Sequence, residues 1–327
     1  MKALTRVFTI FVISSLLVSG CGNAVFPNSP TATMLPPGIL AIVPVAEGPI
    51  NLAATADAIW VESHREDIVT RIDPMQNKEV ARLEDVPAHC AVISGGGFVW
   101  AADAWQSKIT KIDPANGAIL GTIEILDPCG LAADNSDLWV TRQALGQVER
   151  YDAATLEKRA VIPIGSYSFF IEIGPDAVWA VGEADGGTVW RIDPATNQVV
   201  TSINISDPLP VGLVIAFDSV WVGSRIRGVI YRIDPATNAI TETIKVNNAI
   251  GGIGAGPDAI WASGFGDGTI YRIDPATNSV SGSLSTRFWN LGPPLVAFDS
   301  IWVGALDQNM VLRIDPAVFN DSAETTP

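Results

Sequence analysis

The chain contains two histidines, His64 and His89, and they fall close together. With Glu66 they form a set that could exchange protons near neutral pH or hold a metal ion weakly, since imidazole titrates there and carboxylates are its usual partners. His89, His64 and Glu66 are therefore the catalytic candidates, and no metal is assigned to them. A second group suits recognition: Trp105, Arg142, Tyr167, Phe169, Phe170, Arg225, Arg227, Phe265, Arg287, Phe288 and Trp289. Aromatics and arginines are the residues that binding surfaces concentrate. A third set, Cys90 and Cys129, could close a disulfide in an oxidising compartment, or stay as free thiols if their backbones remain more than about 7 Å apart. No phosphate-binding glycine loop, nucleophile elbow, paired-cysteine motif or calcium loop accompanies them.

Composition limits what these residues can serve. The 327 residues are 48% hydrophobic and 17% charged, so the chain can bury a large core and is not a disordered polymer. Thirty-five acidic residues against 20 basic ones give a formal charge of −15, which speaks against nucleic acid and other polyanions as partners. Three cysteines in so long a chain are not a disulfide scaffold.

The elements that must position the candidates are repeated. An apolar-Trp-apolar element recurs at Trp60, Trp100, Trp139, Trp179, Trp221, Trp261 and Trp302, with spacings of 39 to 42. An Arg/Lys-Ile-Asp-Pro element follows at Asp73, Asp113, Asp193, Asp234, Asp274 and Asp315, with a degenerate Arg-Tyr-Asp-Ala copy at Asp152. Within the fifth copy, short apolar runs at 211–216, 220–223, 229–233 and 239–246 are separated by turn residues. Four short strands per period of about 41 predict an all-β fold, a seven-bladed β-propeller of four-stranded blades. The last copy lacks an apolar fourth strand, and residues 39–45 resemble one. They are expected to complete that blade and close the ring, which leaves no open edge.

Positions repeated in every blade should serve the blade. Asp-Pro-Ala-Thr-Asn is a turn: Asp accepts backbone N–H groups, Pro presets φ, and Asn tolerates a left-handed conformation. The tryptophans are expected to pack blade on blade, and the basic residue two before each Asp to pack its stem and form a local ion pair. Propeller connectivity puts the second-to-third loops and the inter-blade loops on one face, where the unrepeated aromatics, arginines and both histidines collect.

The phrase RIDPATN, whole at Arg191–Asn197, Arg232–Asn238 and Arg272–Asn278, resembles the YVTN/NHL-type propeller repeats and the virginiamycin B lyase-like (streptogramin lyase) repeats. The resemblance spans nearly all of the chain after its first forty residues. It implies a propeller that acts either as a binding platform or as a lyase. In the lyase-like family, catalysis uses histidines near the channel mouth, an acidic residue and Mg²⁺. His89 stands eleven before Trp100, where such a histidine would lie, but the equivalent places in the flanking blades are Pro49 and Pro128. The expected function is thus binding of a protein, peptide or small ligand on the variable loop face. A Mg²⁺-dependent carbon–oxygen lyase or related hydrolase is the alternative. No cofactor is required for binding, and Mg²⁺ enters only with the lyase.

The N-terminus predicts an address. Lys2 and Arg6 precede an apolar run too short to span a bilayer, and Leu17-Val18-Ser19-Gly20-Cys21 resembles the lipobox of bacterial lipoproteins. That resemblance implies a signal peptide over 1–20, lipidation of Cys21, and export to a bacterial membrane with the domain facing periplasm or exterior. Residues 21–38, rich in Pro, Ser, Thr and Asn, read as a flexible tether before a single domain over 39–327. Membrane contact is expected through the lipid alone, nucleic acid is not a partner, and the protein is expected to be a monomer.

Overall fold

The computed structural model describes residues 35–165, 167–246 and 248–319; the signal-like segment, Cys21 and the first part of the tether lie outside the described residues. Seven four-stranded antiparallel sheets follow one another along the chain. Their innermost strands are Pro49–Ala54, Ala91–Gly95, Pro128–Ala133, Ser168–Ile173, Pro210–Ala216, Ile250–Ala255 and Leu295–Ala297, which open blades 1 to 7. The seventh sheet takes its outer strand from the other end of the chain. Ile39–Pro44 pairs antiparallel with Met310–Ile314, with Ile42 opposite Leu312. The closing strand read from the sequence is therefore present, one residue shorter than expected.

The seven repeated tryptophans are almost fully buried, and each packs on the next blade. Trp60 lies with Val92, Val99 and Ile112 of blade 2, and Trp221 with Ile253, Ile260 and Ile273 of blade 6. Trp302 completes the ring against Ile59, Val61 and Ile72 of blade 1. The outer strand Lys78–Glu84 alternates with period two, because only one of its faces meets a neighbour.

The repeated arginine does more than the local role expected of it. Arg71, Arg191 and Arg272 do pair with Asp57, Asp176 and Asp258 of their own blades. In addition, Arg150, Arg191, Arg232 and Arg313 each place the guanidinium over their own blade's tryptophan, 4.8–5.4 Å from the ring centroid. From there each donates to the Asp-Pro turn of the following blade. Arg191 reaches Pro235 O (2.7 Å) and Asn238 Oδ1 (3.1 Å), and Arg232 reaches Pro275 O (2.8 Å) and Asn278 Oδ1 (2.7 Å). Arg313 closes the series on Pro74 O and Asn77 Oδ1 of blade 1. The turn is shaped to receive this fork: Asp234 Oδ1 accepts from Ala236 N, Thr237 Oγ1 donates to Asp234 Oδ2, and Asn238 sits at φ 57°, in the left-handed region. The repeat is thus a clasp between blades as well as a turn. In blade 6, Arg272 Nη1 turns to Ser281, and Phe319, in the short turn Pro316–Phe319, packs edge-on against Trp261 at 4.8 Å. Phe319 is buried there.

Candidate functional site

Both histidines lie on the face formed by second-to-third and inter-blade loops, at the junction of blades 1 and 2. His64 belongs to the hairpin after Ile59–Ser63, and His89 precedes the inner strand Ala91–Gly95. Their rings stand 6.1 Å apart, and Trp105, from the hairpin of blade 2, stacks on His89 at 4.2 Å and lies 5.5 Å from His64. The two imidazoles therefore share one exposed indole, whose outer face is open to solvent.

The carboxylates beside them are not the one read from the sequence. Glu66 Oε2 accepts from Glu47 N, and Glu66 N is tied to Ser63 Oγ, so this residue shapes its own loop. Asp103, fully buried, takes its place: Oδ2 accepts from the Nδ1–H of His89 in a short contact, and Oδ1 accepts from Gln106 N at 2.6 Å. Asp67 Oδ1 lies 3.7 Å from His89 Nε2, and Asp67 Oδ2 accepts from the Gln106 amide at 2.7 Å. Bonding through Nδ1 fixes the His89 tautomer and leaves Nε2 as its available nitrogen. His64 is partly buried with Nδ1 unpartnered, and burial together with the nearby His89 holds it below the usual imidazole range.

Behind this layer lies Glu62, buried, with Oε1 accepting from Asn51 Nδ2 at 2.9 Å and Oε2 unpartnered. Burial pushes its carboxyl up to about 8, and the nearby Asp103 charge acts in the same direction. Near neutral pH Glu62 is a protonated acid. Asp67, Asp103 and Glu62 all break the repeat. At the place of Glu62, two after the tryptophan, the other blades carry Ala102, Thr141, Val181, Gly223, Ser263 and Gly304. At the place of Asp103 they carry Ser63, Arg142, Gly182, Ser224, Gly264 and Ala305. Aligning the copies for unmatched acids is the signal that finds them.

Among the described residues, Asp67, His89 and Asp103 are a set whose ligand atoms lie within 4.8 Å of one another. They do not fit Mg²⁺. That ion demands an octahedron of oxygens, whereas one donor here is an imidazole, and the carboxylates already accept from His89 and Gln106.

The recognition candidates divide. Trp105, Tyr167, Arg227, Phe265, Arg287 and Trp289 are exposed on the loop face. Phe288 is half-buried and packs on the core of blades 6 and 7. Arg142 is drawn inward, donating to buried Glu149 at 2.6 Å and to Leu126 O. Arg225 lies over the Phe265 ring at 4.3 Å with Nε unpartnered, and burial lowers its pKa. Phe169 and Phe170 belong to the inner strand of blade 4 and line an axial cavity of about 270 Å³. Cys90 and Cys129 are joined in a disulfide with Cα atoms 5.0 Å apart, linking the start of blade 2 to the inner strand of blade 3.

No family model matches the chain, and no curated protein matches it. Among solved structures, selenomethionine-substituted virginiamycin B lyase from Staphylococcus aureus is similar with a TM-score of 0.72 at 21% identity, over 84% of this chain and 98% of that one. Hydrazine synthase from Kuenenia stuttgartiensis is similar with a TM-score of 0.73 at 15% identity, over 84% and 97%. Two proteins of such different names share the architecture, so the likeness is one of fold, and function has to be argued from the site.

Proposed function

We propose that this propeller is a binding module that takes a protein, peptide or small ligand on its variable loop face, held at a bacterial membrane through lipidated Cys21. One observation carries the reading: where the large exposed apolar side chains of the loops fall. Trp105, Leu126, Leu145, Tyr167, Ile226, Phe265 and Trp289 all stand on the second-to-third or inter-blade loops of one face. Among the described residues, the opposite face, which carries the Asp-Pro turns, offers only Met75 and, from the segment leading to the closing strand, Leu35. Apolar groups gathered on one face of a soluble fold favour a partner that covers them. The mature lipoprotein, immobilised and exposed to envelope extract, is expected to retain a discrete partner. Trp105→Ala and Trp289→Ala should each weaken retention at least about tenfold, the loss typical of an aromatic anchor. Val200→Ser on an outer strand should not. Equal retention by all three variants contradicts this reading.

The His89–Asp103 contact beside Trp105 supports a second reading, acid–base catalysis on a ligand seated against the indole. In a carbon–oxygen elimination, His89 Nε2 would take a proton from carbon. The C–H electron pair becomes the new double bond, and the C–O pair departs on oxygen. The name of the similar lyase supplies a substrate to try. Virginiamycin B incubated with the protein should yield a ring-opened product of unchanged mass if the step is elimination, or one heavier by a water if it is hydrolysis. His89→Ala should abolish either product. No turnover, or turnover that survives His89→Ala, removes this second reading.

A further inference from the structure

We propose that the axial cavity is a second binding site, for a small protonated amine bearing an apolar ring or short chain, with Glu172 as its counter-ion. The cavity is bounded by the inner strands of all seven blades, and its walls are almost wholly apolar, among them Leu52, Ile93, Leu131, Leu213 and Leu295. One ionisable side chain lines it, Glu172; the other polar group is Asn51, and Cys90 is bonded to Cys129. Glu172 lies directly across from Trp179 in its blade. The residues opposite the tryptophan in the other six blades are Ala53, Ile93, Ala132, Val214, Gly254 and Leu295. The blade therefore has no use for a carboxyl at this place.

Among the described residues Glu172 has no hydrogen-bond or ion-pair partner, and it shares a strand face with Phe170. Glu172 is half-buried, so its carboxylate, set among apolar walls with no protein partner, is incompletely hydrated, and a cationic guest supplies the missing counter-charge. An apolar wall with one anion selects for charge at one end of the guest and hydrocarbon at the other. A bare divalent ion is excluded by the same geometry, because it needs several oxygen ligands and finds one carboxylate. Burial alone pushes the Glu172 carboxyl up to about 7, so the ionised form that pairs with an amine gains population as pH rises past neutrality. Beyond the lining, the ionisable Glu62 is bonded to the lining residue Asn51.

Calorimetric titration of the full chain with benzylammonium chloride tests the proposal, with benzyl alcohol as the neutral probe. Saturable binding is expected at about pH 8, weakened roughly tenfold at about pH 6, where most of the carboxyl is protonated. Glu172→Gln should weaken benzylammonium binding at least about tenfold and leave benzyl alcohol unchanged, and Glu172→Asp should restore part of the loss. Trp105→Ala should leave it unchanged, which separates this cavity from the loop face. Absence of saturable binding at about pH 8, binding independent of pH in the unaltered protein, or equal affinity in a folded Glu172→Gln variant would overturn it.

Discussion

Glu62 keeps one oxygen on Asn51 and the other on nothing, and burial pushes its carboxyl up to about 8 from 4.5. The folded protein therefore holds a proton that the unfolded chain gives up between those two values. Stability from this group falls as pH rises through that window. Glu62→Gln keeps the shape and the Asn51 bond, so the variant should nearly match the natural protein near pH 4.5 and exceed it by on the order of 4 kcal/mol near pH 8, read by urea unfolding. A difference that does not grow with pH contradicts a buried neutral acid. His64 acts with the opposite sign: its pKa is lowered on folding, so stability is lost as pH falls below the usual imidazole range. At this scale the sequence was only partly legible. His64 and His89 could be placed together because both fall on loops of one face. Glu66, two positions from His64, instead accepts from Glu47 N, because neighbouring hairpin residues need not point the same way. Asp103 was hidden because it does two things at once, capping its own hairpin through Gln106 N and holding His89.

Arg232 joins two blades through a ring, a carbonyl and an amide, and its contribution belongs to the strand-and-turn unit. Arg232→Ala should lower stability by about 2–3 kcal/mol, combining a desolvated cation–π contact with two hydrogen bonds. Arg232→Lys should recover less than half, since an ammonium lacks the planar fork that serves ring and turn together. Arg272 bonds within its own blade to Asp258 and Ser281, so Arg272→Ala should cost no more than about 1 kcal/mol. Equal losses for Arg232→Ala and Arg272→Ala, in parallel urea unfolding curves, would show that the clasp is not what matters. The turn chemistry was readable in Asp-Pro-Ala-Thr-Asn because it is local. The clasp was not, because strand periodicity says which residues share a face and nothing about which turn of the next blade lies within reach. Phe319 escaped for a related reason: one aromatic in a short polar tail has no period, and its site against Trp261 exists only once the ring is closed.

The molecule as a whole was the most legible level, because seven copies of one pattern average out the ambiguity of any single strand. The phase of the tryptophans gave the blade count, and the missing fourth strand of the last copy gave the closure now seen between Ile39–Pro44 and Met310–Ile314. Closure also explains the division of labour. Trp302 and Arg313 bind blade 7 to blade 1 by the same clasp that Arg150, Arg191 and Arg232 make to their following blades. One face repeats its turns; the other carries an exposed aromatic and aliphatic set around the His89–Asp103 cluster. In the proposed binding role, this second face meets the partner. Site-specific photocrosslinking in intact cells tests it most directly, with a photoreactive amino acid replacing Trp105, Ile226 or Trp289 on the loops and Ile119 or Val200 on the outer strands. A discrete adduct from the three loop positions, and none from the two strand positions, is the expected result. Adducts confined to Ile119 and Val200, or none from any loop position, would contradict it.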